Sequence, residues 1–163
     1  MTRARSTAEK PKARPSLPPE ITEFELNDAF GFLFRRVDSL ATRLFFEFSG
    51  QTTLSPRQYG VLIILSKAGQ LSQKELSDII RIDPSTLGEI LRRMAARGLL
   101  ARRTSTEDRR KVVLSLSNSG KRLLQDYFPA AARMQEELLA PIPPEDRDIV
   151  RAGLQAILTK LEG

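Results

Sequence analysis

Residues 72–117 read SQKELSDIIRIDPSTLGEILRRMAARGLLARRTSTEDRRKVVLSLS. The punctuation of this stretch predicts two short helices and then a β-hairpin. Ser72-Gln73-Lys74-Glu75 fits a capping box, in which a serine hydroxyl and a glutamate carboxylate reciprocally satisfy backbone amides at a helix start. That helix should reach about Ile80. After the break Arg81-Ile82-Asp83, Asp83 is placed to cap a second helix, with Pro84 at the first position, where no amide donor is needed. Gly98 can adopt the left-handed conformation that stops it. Leu87, Ile90, Leu91 and Met94 recur at helical spacing and form its buried side. Residues 99–103 and 111–116 read as strands, the second with Val112, Leu114 and Leu116 inward and Val113 and Ser115 outward. The polar loop 104–110 joins them.

Long apolar helices flank this segment. Across residues 24–48, Leu26, Phe30, Leu33, Val37, Leu40 and Leu44 recur at steps of four and three, and Phe32, Phe34, Phe45, Phe46 and Phe48 widen the stripe. A helix of about 24 residues spans about 36 Å, and this one is apolar on more sides than a lone protomer covers. The excess points to a second subunit. Ser55-Pro56 opens a helix over residues 57–67 that turns Tyr59, Leu62, Ile63 and Leu65 inward, and Leu71 begins a very short strand. Ser117 or Asn118 opens a helix to about residue 140, which must bend or open near Phe128-Pro129 because proline lacks the helical donor. The last helix, residues 144–161, aligns Val150, Leu154, Ile157 and Leu161. Residues 1–20 hold four prolines and five Lys/Arg but few large apolar groups, the composition of a disordered basic arm.

Composition narrows the function. The chain has 163 residues, enough for one compact domain, and neither cysteine nor histidine. Disulfides, thiolate metal sites, thiol redox sensing and imidazole chemistry are therefore excluded. No Gly-rich phosphate loop or nucleophile motif organises the remaining groups, so the reading is of a non-enzyme without cofactor or metal. No apolar run is long enough to span a membrane or to act as a secretory signal, which predicts a cytoplasmic protein. Net charge is +6. Residues 1–20 carry +3 and residues 81–111 carry +5, leaving the rest slightly acidic. Clustered cations of this kind suit a polyanion, since neutralising phosphates releases counterions.

Two short helices, a tight turn and a basic hairpin form a winged helix-turn-helix pattern, in which the second helix enters the major groove and the wing lies beside it. The fold class is thus mainly α with a small β-hairpin wing. A DNA-binding lobe at residues 53–117 is flanked by helical regions, 21–52 and 118–163, suited to dimerisation. The outward face of the second helix offers Ser85, Thr86, Gly88, Glu89, Arg92 and Arg93. Arginine can pair bidentately with guanine, glutamate can accept from cytosine, and Ser or Thr serves either role; Gly88 would let a backbone come close. Arg102 and Arg103 are either phosphate contacts or solvated strand residues.

Residues from about 54 to 120 resemble the MarR family of bacterial winged-helix regulators: LSPRQYGVLIIL, then LSQKELSDIIRIDPSTLGEILRRMAARGLLARR, then the wing TSTEDRRKVVLSLSNSGKRLL. Asp108-Arg109-Arg110 with the apolar alternation after it is similar to that family's wing signature. The resemblance implies that Arg110 enters the minor groove, oriented by Asp108, with Arg109 and Lys111 on phosphates. A narrow minor groove concentrates negative potential, and a paired carboxylate fixes a guanidinium. It further implies a homodimer on a pseudo-palindromic operator, repression as the commoner mode, and association with the nucleoid when DNA-bound. A small aromatic or anionic effector would sit in a cleft between the dimerisation helices and the DNA-binding lobe, for which Arg35, Arg36, Arg43, Phe46 and Tyr59 are candidates. The lack of cysteine sets the chain apart from peroxide-sensing members.

Two other classes stay open on the sequence. A sequence-nonspecific architectural protein would use the same basic surface, and an enzyme with a helical core would need a residue set that is not evident. RNA binding is disfavoured because the basic segment lacks interleaved aromatics.

Overall fold

The computed structural model describes residues 17–50, 54–104 and 111–162. Two compact units, residues 1–37 and 38–163, make up the chain.

In the first unit α1 (Pro19–Thr22) is a single turn that straddles residue 20, the end of the stretch expected as an arm, most of which lies outside the described residues. A 3-10 turn, Leu26–Asp28, follows, and Ala29 is extended at ψ 121°. The long helix α2 (Phe30–Ser49) consequently begins at Phe30, not near Phe24 as its apolar spacing suggests. Asn27 and Asp28 favour this break, because short polar side chains compete with helical backbone bonding, and the Ala29 carbonyl then accepts the amides of Phe32 and Leu33. Leu26, Phe30, Leu33, Phe34 and Val37 are all exposed.

The second unit holds the core. Helix α3 (Pro56–Ala68) starts on a reciprocal capping box between Ser55 and Gln58. Strand β1 (Gln70–Ser72) leads into α4 (Gln73–Ile80), where the Ser72 hydroxyl accepts the Glu75 amide and the Glu75 carboxylate accepts the Ser72 amide. Arg81 turns the chain at φ 55°, the Ser77 hydroxyl binds the Ile82 carbonyl at 2.7 Å, and α5 (Pro84–Ala96) begins under the Asp83 cap. Gly98 at φ 69° ends it, with the Leu99 amide reaching back to the Met94 carbonyl.

Strands β2 (Leu100–Thr104) and β3 (Val112–Leu116) are antiparallel. Because β1 also pairs with β3, the wing hairpin belongs to a three-stranded sheet of order β1-β3-β2. Helices α6 (Asn118–Leu139) and α7 (Arg147–Glu162) close the chain, and α6 runs uninterrupted through Pro129.

Val61, Leu62, Leu65, Leu76, Leu87, Leu91 and Met94 are almost fully buried, with Leu114 and Leu116 closing the core from the sheet. Three expectations differ. Ile90, Tyr59 and Ile63 are half-buried at the core's edge, whereas Val61, which lies off the expected inward stripe of α3, has no exposed surface. Val112 is 56% exposed because it pairs with Thr104 at the far end of the hairpin, beyond the helices that cover Leu114 and Leu116. Among the described residues of α7 none is buried, and Ile149, Val150, Leu154, Ile157, Leu158 and Leu161 are exposed.

Candidate nucleic-acid interface

Helix α5 is presented from both ends of its first turn. The Asp83 carboxylate accepts the Thr86 amide at 2.9 Å, and its bonds from Thr86 hold its pKa below the usual carboxylate value. From α4, the Gln73 amide donates to the Pro84 carbonyl at 3.1 Å. A Cβ on Gly88 would stand only 3.3 Å from that same Gln73 nitrogen, so the missing side chain serves the α4–α5 crossing. Gln73 is a positioning residue that periodicity did not single out. Its neighbour Ser72 advertised the cap, but nothing local marks a bond spanning eleven residues.

The outward face carries Ser85, Thr86, Glu89, Arg92 and Arg93, as expected. Ser85 and both arginines are exposed, whereas Thr86 and Glu89 are half-buried. Glu89 is fully engaged. Its carboxylate accepts Arg92 Nε at 2.9 Å and Arg92 Nη2 at 2.8 Å, and also Arg93 Nε at 2.8 Å. These bonds, from Arg92 first and then Arg93, lower its pKa to about 2 and raise that of Arg92. Among the described residues the Nη groups of Arg93 and the Nη1 of Arg92 make no further bond, leaving donors of the kind that match guanine O6 and N7 or a phosphate.

The wing divides its cations by sheet face. Arg102 pairs with Leu114 and shares the face of Leu100 and Leu116, while Arg103 pairs with Val113 and shares the opposite face with Ala101 and Ser115. Lys111 is exposed at the start of the returning strand. Asp108, Arg109 and Arg110 lie outside the described residues.

Among the effector candidates, Arg35 is exposed and Arg36 donates to Asn27 at 3.3 Å in the first unit. In the second unit Arg43 pairs with Glu47 at 3.4 Å in solvent. Phe46 is half exposed and meets Phe45 edge-on at 5.7 Å. Tyr59 lies 5.9 Å from Phe45 and 5.0 Å from Tyr127, and burial raises its pKa. Tyr127, absent from the sequence-derived candidates, is 2% exposed and donates to the Phe45 carbonyl at 3.4 Å, and burial pushes its hydroxyl up to about 12. The structure thus joins Phe46 and Tyr59 through Phe45 and Tyr127. Among the described residues no acidic cluster could hold a metal ion, and no helix is long and apolar enough to cross a membrane.

The MarR family model matches residues 54–112. The transcriptional repressor NicR of Pseudomonas putida is 31% identical over 121 residues, which cover 74% of this chain and 77% of that protein. The chain belongs to the MarR family. Solved MarR-type structures agree in fold. BpsR of Bordetella bronchiseptica, whose DNA binding is regulated by 6-hydroxynicotinic acid, has a TM-score of 0.77 at 25% identity, over 82% of this chain and 96% of its own. PcaV of Streptomyces coelicolor, a transcriptional regulator solved with its natural ligand, has a TM-score of 0.76 at 27% identity, over 83% of this chain and 96% of its own. The fold is therefore a winged helix, and the chain is a MarR-family transcriptional regulator.

Proposed function

We propose that this MarR-family chain is a ligand-responsive repressor that binds a pseudo-palindromic operator in duplex DNA as a homodimer. The observation that carries the reading is the outward face of α5. There a capped, tethered first turn displays Ser85 and Thr86, and two turns later the arginine pair is held in a fixed fork. In the proposed complex α5 lies in the major groove, and the wing sets Arg110, with Asp108 orienting it, into the adjacent minor groove. Arg109 and Lys111 meet phosphates there.

Two observations support the rest. The exposed leucines, isoleucines and phenylalanines of α2 and α7 are the kind of surface that a partner covers. The half-exposed Phe46 beside the Phe45–Tyr59–Tyr127 group suits a planar ring, and BpsR responds to a hydroxylated aromatic acid. The protein acts by binding in the cytoplasm, on the nucleoid, without catalysis.

The test is to select fragments of the source genome bound by the protein, and then to compete a selected fragment with random DNA at physiological salt while following anisotropy. Specific binding predicts a preference of about 10³-fold or more. Comparable affinities would leave only nonspecific architectural binding. Arg110→Ala is expected to weaken operator binding at least tenfold while the protein still sediments as a dimer. Unchanged affinity would remove Arg110 from the interface.

A further inference from the structure

A cavity of 650 Å³ opens where the end of α3, the wing strands and the first turns of α6 meet. It shares no residue with the Phe46 and Tyr59 group, and it lies within the size range of small-molecule sites. Arg103 enters from β2 and Lys121 from α6, while among the described residues no acidic side chain is present in the wall. Among the described residues neither cation has a carboxylate within ion-pair distance.

The sheet register explains why Arg103 and not Arg102 reaches this hollow, since the two project from opposite faces. The wall also holds Ser115, Asn118 and Gln125, able to donate and accept hydrogen bonds, and Ser66, whose hydroxyl donates to the Ile63 carbonyl at 2.8 Å and can still accept. The cavity also abuts the amino end of the 22-residue α6, where the Ser117 hydroxyl occupies only the Gly120 amide, so the helix adds positive potential. Leu65 and Leu124 supply a small apolar floor. Two unpaired cations, a polar wall and no acid make a poor site for an apolar ring, since the wall groups would lose their hydration unpaid. They suit an anion that carries further oxygens.

We propose that this cavity at the root of the wing binds a small hydroxyl-bearing organic anion of the size of citrate or a sugar phosphate. Arg103 and Lys121 hold the charge, and Ser66, Ser115, Asn118 and Gln125 meet the hydroxyls. The proposal does not depend on the operator reading, because it concerns the DNA-free protein.

Titration calorimetry of the full chain with citrate, glucose 6-phosphate and glucose tests it. At least one anion is expected to bind saturably, at one per chain, whereas glucose does not. Lys121→Gln and Arg103→Gln should each raise Kd at least tenfold with an unchanged melting temperature, since both side chains are exposed. Tyr59→Phe should leave binding as it was. No saturable binding of either anion at millimolar concentration would overturn the proposal, as would equal affinity in the two cation variants. Loss of DNA affinity in those variants, with no anion bound by the wild type, would make the cavity a phosphate-backbone contact and also refute it.

Discussion

Gly120→Ala is expected to destabilise the protein by roughly 3 kcal/mol, the upper part of the range for overpacking a tight contact. For a chain of this size that lowers Tm by about 6–12 °C. A Cβ at this position would overlap the Leu99 carbonyl oxygen. That oxygen cannot yield easily, because it accepts the Ser117 amide at 3.1 Å while the Ser117 hydroxyl donates to the Gly98 carbonyl at 2.6 Å. The first turn of α6 is therefore laid directly on the corner where α5 ends and β2 begins. Moving it displaces α5 or the wing. The control is Gly153→Ala on α7, where a Cβ meets nothing within 4 Å and alanine's better helix propensity should leave Tm unchanged or slightly raised. Thermal melts followed by circular dichroism compare the two. A Gly120→Ala protein that melts with the wild type would show that the corner has slack.

What was legible in advance was whatever a few consecutive residues decide. Ser55, Ser72, Asp83 and Gly98 each act on a backbone group within about four residues, and all four end or start helices as their chemistry predicts. The three-stranded sheet needed only Leu71 beyond the hairpin. Illegible features depend on what lies opposite. Val112 has the alternation of an inward residue but no helix above it, and α2 starts late because Asn27 and Asp28 interrupt an otherwise continuous stripe. Tyr127 and Phe45 are 82 residues apart, so no periodicity connects them. Nothing local marks Gly120, because the Leu99 carbonyl that excludes its Cβ comes from the corner before β2. Within the candidate interface, composition identified the residues of α5 that face outward but not their mutual pairing.

That pairing sets the second large expectation, for Glu89→Gln. Glutamate three and four residues before arginines on a helix is placed to bind both, and here it takes Arg92 from two donors and Arg93 from one. With its carboxylate oxygens committed, Glu89 is expected to act as a brace that aims the arginines rather than as an acceptor for cytosine. The amide variant keeps the shape but loses the charge and one of the two acceptor oxygens, so the Arg92 Nε bond goes and the bonds to the remaining oxygen are weakened. Operator affinity should fall about tenfold because the fork is no longer pre-aimed. Affinity for random DNA should rise, with a salt slope steeper by about 1, because the carboxylate no longer neutralises one of the two arginine charges. Specificity is lost from both sides. A direct cytosine reader would instead lose preference at one base pair, and its effect would add to that of Arg92→Gln. The brace predicts non-additivity in that double variant, since either change breaks the same contact. The wild-type brace also ignores pH in the working range. A carboxylate whose pKa is lowered to about 2 gives up its charge only as pH falls toward that value, so operator affinity measured between about pH 6 and 8 should show no step from Glu89. A titration in that window that tracked Glu89 would mean that the carboxylate is not held by the arginines in solution.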